Sequence, residues 1–284
     1  MPLYATKRGA CNLNLSPDLT RRFGGLERLY GVVGAARQRA AHVAVVGIGG
    51  VGSWAVEVLA RSGVGSLTLI DLDHVTESNI NRQIHALDAT VGQAKVLAMR
   101  DRIAHINPAC NVTCIDAFVE PANWPHLLPP GVNAVIDACD QMQAKVAMAA
   151  WARETGALFI TVGAAGGKRQ AHKVDLDDLA NATHDPLLAL LRTRLRKLHG
   201  AAREGKRIGI SCVFSREVVA PPDASCSVDG DGSLNCHGYG SVVAVTASFG
   251  NCAAGWVLDR LAEAEPPETN AILAGFAEDN PAKD

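Results

Sequence analysis

No Cys-x-x-Cys pair occurs anywhere in the 284 residues. The eight cysteines are scattered, and Cys110 and Cys114 stand four apart in an expected strand, a spacing that argues against a tetrahedral four-thiolate zinc site. The chain opens without the charged-then-apolar stretch of an export signal, so a reducing cytoplasm is the expected location. Aromatic residues make up only 5% of the sequence, and few fall among the basic residues, so base stacking is not indicated. Formal charge is only −2, which leaves any nucleic-acid partner to be met by a local patch and not by overall attraction. No internal repeat is found. A single uncharged run, Gly238 to Leu258, could cross a bilayer on length. It is poor in Leu and Ile and rich in Gly, Ala, Ser and Thr, so a buried core helix is expected and no membrane insertion.

What is present is a regular alternation. About half the residues are apolar (48%), enough for a substantial core. Ser16-Pro17-Asp18 reads as a helix opening with Ser at the cap, and Arg21 to Tyr30 follows. Strand Val43 to Val46, helix Gly49 to Arg61 and strand Leu67 to Ile70 make a β-α-β unit. Helix Gly92 to Ile106 is stopped by Asn107-Pro108 ahead of strand Val112 to Ile115. Strand Val132 to Ile136, helix Gln141 to Thr155 and strand Leu158 to Val162 repeat the pattern. The fold class expected is α/β: a doubly wound, largely parallel Rossmann-like sheet with helices on both faces and a C-terminal extension. Residues 1–40 form an N-terminal helical segment, 41–165 the nucleotide-binding core and 166–284 the extension, packed with the core as one domain. In the extension, strands are expected at Gln170 to Val174 and Ile208 to Phe214, around a basic helix from Pro186 to about Arg203. A mobile loop rich in Gly, Ser and Asp is expected from Asp223 to Ser233.

The chemistry concentrates between Val43 and Asp140. In Gly47-Ile48-Gly49-Gly50-Val51-Gly52, Gly47 lets the chain turn, Gly49 lets backbone approach a phosphate, and Gly52 lets the helix close on the strand. The helix N-terminus then offers free amides and its positive dipole end to an anion. Asp71 lies about 20 residues downstream, where an acid accepts ribose hydroxyls. Dehydrogenases and adenylating enzymes share that much. Arg82 and Lys95 discriminate, because adenylyl transfer must neutralise charge growing on a departing pyrophosphate, whereas a dinucleotide needs only the amides. Asp140 follows an apolar strand at the carboxyl edge of the sheet. It suits a magnesium ion beside phosphates or, alternatively, a helix cap.

The strings Ile70-Asp71-Leu72-Asp73-His74-Val75 and Ser78-Asn79-Ile80-Asn81-Arg82-Gln83, the thirteen-residue step to Lys95, and Asp137-Ala138-Cys139-Asp140 resemble the ubiquitin-activating-enzyme-like adenylyltransferases, which include the molybdopterin and thiamine sulfur-carrier activators. Arg22-Phe23-Gly24-Gly25-Leu26-Glu27-Arg28-Leu29-Tyr30-Gly31, Cys212-Val213-Phe214-Ser215 and Cys236-His237-Gly238-Tyr239-Gly240-Ser241 resemble one branch, the tRNA threonylcarbamoyladenosine dehydratases, which cyclise a threonylcarbamoyl group on an anticodon-loop adenosine. The resemblance implies ATP and magnesium, with a monovalent cation as a further candidate. It implies Asp71 on the ribose, Asp73 and Asn79 in the same nucleotide-binding set, Arg82 and Lys95 on the phosphates and Asp140 on the metal. It also implies a homodimer in which an N-terminal arginine, Arg22 or Arg28, completes the partner's site. The second arginine of the sulfur-carrier activators' motif is absent here, as are their paired Cys-x-x-Cys motifs and a ubiquitin-fold domain.

Two features lie outside the fingerprint. Arg192, Arg194, Arg196, Lys197, Arg203, Lys206 and Arg207 fall within sixteen positions, a cluster able to grip the phosphate backbone of a tRNA or to serve as a solvated helix face. Cys236 could capture an acyl-adenylate as a thiolate or pack as a small apolar residue. The rival readings are an adenylyltransferase on the C-terminal glycine of a ubiquitin-like sulfur carrier, and a catalytically silent sulfur-relay scaffold partnering a cysteine desulfurase or a sulfur-acceptor protein.

Overall fold

The computed structural model describes residues 17–203, 205–223, 225 and 239–263. A seven-stranded sheet runs through it in the order β3-β2-β1-β4-β5-β7-β6. The strands are β1 His42–Val46, β2 Ser66–Ile70, β3 Asn111–Ile115, β4 Ala134–Asp137, β5 Leu158–Val162, β6 Val174–Asp178 and β7 Ser211–Ser215. All neighbours are parallel except β6 and β7. Parallel strands covered by helices on both faces must be apolar on both, and β1 shows this residue by residue. Val43 and Val45 join one buried cluster, and Ala44 and Val46 join the other.

The first face is covered by α2 (Gly52–Arg61), α3 (Lys95–Ile106) and α6 (Val243–Glu263), the second by α4 (Met142–Thr155) and α5 (Pro186–Leu198). The uncharged run expected as a core helix is α6, whose Val245, Phe249, Ala253 and Val257 are completely buried. Among the described residues no helix is long and apolar enough to cross a membrane. Helix α6 crosses α2 at Gly250, where an added Cβ would lie 2.5 Å from the Val51 carbonyl oxygen and 2.8 Å from Ala55 N. No larger residue fits that crossing.

Several boundaries differ from the sequence reading. Helix α1 (Leu19–Ala40) is capped by Asp18, not Ser16: Asp18 Oδ1 accepts from Arg21 N–H at 3.0 Å. Gly31, at φ 73° and ψ 163°, interrupts it. The strand expected at Gln170 to Val174 begins only at Val174, after a 3-10 turn. There the alternation Val174-Asp175-Leu176-Asp177 sends Val174 and Leu176 to the first cluster. Helix α5 stops at Leu198, because Gly200 turns to φ 60°. The loop expected from Asp223 to Ser233 lies outside the described residues apart from Asp223 and Ser225, and Cys236 lies outside them too.

Candidate active site

Strands β1 and β4 are neighbours, and the connection after β1 runs to β2 on one side while that after β4 runs to β5 on the other, which opens a crevice at their carboxyl ends. A cavity of about 470 Å³ occupies that crevice, within the range of small-molecule sites. Its lining includes Gly47, Gly49, Asp71, Asp73, Asn79, Arg82, Lys95 and Asp140. Residues separated by up to 93 positions in the chain are thus gathered at one sheet edge.

The three glycines meet three different steric demands. Gly47 has φ 85°, and a Cβ there would stand 2.8 Å from Cys139 N. A Cβ on Gly52 would stand 1.8 Å from the Gly47 carbonyl oxygen, so only glycine lets α2 begin this close to β1. Gly49 faces open space, with nothing within 4 Å, which is the condition for a ligand to reach the backbone. No side chain caps the start of α2; Ser53 N–H and Trp54 N–H turn back to the Gly49 and Val51 carbonyls, so an anion would be met by the backbone of the glycine turn just ahead of them.

Asp71 leaves the end of β2 and is bound on both oxygens: Ile48 N–H donates to Oδ2 at 2.6 Å and Asp73 N–H to Oδ1 at 2.8 Å. Burial pushes its carboxyl above the ordinary carboxylate range, with Lys95 and the two amides pulling the other way. Asn79 is buried and its side-chain oxygen accepts from Thr76 N–H at 3.2 Å. Arg82 is 9% exposed. One terminal nitrogen donates to the Ser78 carbonyl at 2.6 Å and to Asn81 Oδ1 at 3.0 Å, while its Nε is buried without a partner. Its own carbonyl is held by Trp54 Nε1 at 2.9 Å. Lys95 is buried at the first turn of α3 and its Nζ lies 2.7 Å from Asp73 Oδ2. Two buried cations at one cavity wall are costly without an anion to meet. The Asp73 carboxylate answers one of them.

Asp140 is exposed at the cavity rim and does not cap α4, whose N-cap is Gln141 with no side-chain bond. Among the described residues no group of three or more His, Cys, Asp or Glu is placed to hold a metal. A divalent ion at Asp140 would therefore draw most of its oxygen ligands from phosphates and water, as magnesium commonly does.

Arg22 lies elsewhere. It donates to the Ile106 carbonyl at 2.7 Å, capping the end of α3 in its own chain, and it lines a separate cavity with Arg61, His85 and Arg102. Phe23 beside it packs on Gly63. The basic cluster splits into two groups. Arg192 donates to the Leu179 and Ala182 carbonyls and Arg196 to that of Ala202, whereas Lys197, Arg203, Lys206 and Arg207 are exposed and Arg194 is half-buried.

Sequence reasoning missed parts of the cleft. Phe118, Gly163, Ala164 and Gly166 line it, and they sit in loops after β3 and β5 without a motif to mark them. Asp137 and Lys145 lie beneath it as a fully buried ion pair at 3.0 Å. A charged residue eight positions after a strand-end acid was the available signal.

The ThiF family model matches residues 24–280. The chain is 42% identical over 256 residues to the tRNA threonylcarbamoyladenosine dehydratase of Escherichia coli (strain K12), covering 87% of this chain and 96% of that one. The enzyme of that name from Haemophilus influenzae is 42% identical over 243 residues, with 85% and 93% covered. The E. coli dehydratase solved in complex with ATP superposes with a TM-score of 0.78 at 41% identity, covering 87% of this chain and 96% of that chain. Matched nearly end to end on both sides, the chain belongs to the ThiF family and groups within it with the tRNA threonylcarbamoyladenosine dehydratases.

Proposed function

We propose that this protein is an ATP-dependent dehydratase that cyclises threonylcarbamoyladenosine in tRNA through adenylation of its carboxylate. One observation carries the reading: Arg82 and Lys95 are buried yet line the same cavity as the open backbone at Gly49. That set suits a triphosphate losing pyrophosphate. It is supported by relatives of this name, one of them solved with ATP and with AMP.

In this mechanism the substrate carboxylate attacks the α-phosphorus and the bond to pyrophosphate breaks. Asp71 holds the ribose, and the amides after Gly47 cradle phosphate. Arg82 and Lys95 take up charge as it moves onto the leaving group, stabilisation worth several kcal/mol when donors are aimed in advance, on the order of 10²–10³ in rate per donor. Magnesium, held by Asp140, would supply further neutralisation of the phosphates. The carbamoyl group of the same side chain then closes on the mixed anhydride and AMP departs, so one water is lost overall. Nucleophile and electrophile share one molecule, which favours closure over hydrolysis.

The exposed Lys197, Arg203, Lys206 and Arg207 are the surface on which the tRNA backbone would lie. A second copy would pack on the outward apolar residues of α1, Leu29, Val32 and Val33, which are 63–73% exposed, and bring an N-terminal arginine to the neighbouring cleft. A sulfur-relay role draws no support from the described cysteines: each is at least partly buried, and burial raises every one of these thiols. Mass spectrometry of tRNA nucleosides after incubation with the purified chain and ATP tests the reading. A nucleoside lighter by one water, with AMP and pyrophosphate, is expected; none of the three would end it.

A further inference from the structure

Lys145 is fully buried on α4, with its ammonium set between two strand ends. Nζ donates to Asp137 Oδ2 at 3.0 Å, to Thr161 Oγ1 at 3.1 Å and to the Val162 carbonyl at 2.8 Å, which uses its three protons. Asp137 and Thr161 are register partners at the carboxyl ends of β4 and β5, and Thr161 Oγ1 donates to Asp137 Oδ2 at 2.6 Å. The other carboxylate oxygen accepts from Cys139 N–H at 3.2 Å, so Asp137 grips the turn that ends at Asp140. Val162 leads directly into Gly163, Ala164 and Gly166, the facing wall of the cleft. Asp185 secures that wall from behind, accepting from Ala164 N–H at 2.9 Å.

Burying two opposite charges is costly, and apolar residues of similar volume commonly serve stability as well or better. A stabilising role alone therefore does not account for this pair. Burial disfavours the ammonium, but the surrounding groups, the Asp137 carboxylate first among them, together outweigh it and hold Lys145 above the ordinary lysine value. The lysine remains charged, and its three bonds remain directional.

We infer that Lys145 is a positioning residue for adenylation: through Asp137, the Thr161 hydroxyl that ties both together, and Val162, it fixes the two turns that face each other across the nucleotide cleft, and so sets where Asp140 stands relative to the phosphates. This rests on the adenylation reading above. It adds a residue that touches neither nucleotide nor metal.

Two variants test it, Lys145→Met and the shape-conserving Thr161→Val, which removes one hydroxyl from the network and leaves the ion pair. ATP affinity is measured by calorimetry with and without magnesium, alongside AMP release with tRNA. In Thr161→Val the gain in ATP affinity from magnesium shrinks roughly tenfold and kcat falls roughly ten- to a hundredfold, as when partners behind a metal ligand are removed. Affinity without magnesium and the KM for tRNA stay unchanged. Lys145→Met shows the larger effect if it folds, and Thr161→Val carries the test if it does not. A folded Thr161→Val variant with an unaltered magnesium gain and kcat, beside an active parent chain, overturns this inference alone. A parent chain that neither binds nor consumes ATP overturns the adenylation reading and this inference with it.

Discussion

Lys95 and Asp73 form an ion pair of unequal partners. The lysine side chain is 8% exposed, the aspartate's is 55%, and Nζ to Oδ2 measures 2.7 Å. An exposed carboxylate is well hydrated and a weak competitor, so an incoming phosphate can take the lysine from it. Lys95→Ala should lower kcat/KM for AMP formation by roughly 10²–10³-fold, while Asp73→Asn should cost far less. Equal losses in the two variants, measured by steady-state AMP release, would place the role of Lys95 in the pair and not in the chemistry.

The two fingerprint glycines should separate folding from binding. Gly49→Ala points its methyl into open space and should melt within a degree or two of the parent while losing ATP affinity. Gly52→Ala forces a Cβ against the Gly47 carbonyl oxygen and should lose at least about 3 kcal/mol of stability, the upper range for overpacking. Denaturant melts with ATP titrations decide the point. A Gly49→Ala variant that binds ATP normally would remove the phosphate from that turn.

His85 should make the fold sensitive to acid. It is buried with neither ring nitrogen bonded, and burial, followed by the charges of Lys95 and Arg102, lowers its pKa from 6.5 to about 4. Since the folded value is depressed, the unfolded chain binds the proton first. The stability contribution is therefore complete above the unfolded value and fades as pH falls from there toward the folded one. The loss between about pH 7 and pH 5 is about 2 kcal/mol. His85→Phe should flatten that part of the profile in urea unfolding at the two pH values; an unchanged slope would assign the acid sensitivity to other groups.

The basic residues should divide in the same way as their bonding. Removing Lys197, Arg203 and Lys206 together should weaken tRNA binding and reduce its salt slope by roughly one unit for each phosphate these side chains neutralise, with ATP binding intact. Arg192→Ala should instead cost about 1–3 kcal/mol of stability, because its guanidinium holds the Leu179 and Ala182 carbonyls. If the triple variant binds tRNA as the parent does, the RNA surface lies elsewhere.

The β-α-β alternation and the fingerprint were legible because they follow from local rules: short apolar runs for strands buried on both faces, glycine where a Cβ has no room, a strand-end acid. The β5 strand was read to the residue, at Leu158–Val162. Helix ends were read less well, since each hinges on one residue's bond or backbone angle: Asp18 supplies the cap of α1, and Gly200 at φ 60° follows the early stop of α5. The buried Lys145–Asp137 pair left only the faint signal of a charge eight positions after a strand-end acid, and the Gly163–Gly166 wall left none. Both arise from neighbouring strands meeting across the sheet, which local spacing does not specify. The split in the basic helix was hidden for the same reason: a sequence counts arginines but does not say which ones turn back to a carbonyl.

The close crossing of α2 and α6 at Gly250 has a consequence for biosynthesis. The glycine turn before α2 is made by the ribosome early, yet the helix that supports it from behind ends only at Glu263. A nascent chain holds the whole glycine turn long before α6 is made, so a braced nucleotide cleft has to wait for that helix to emerge.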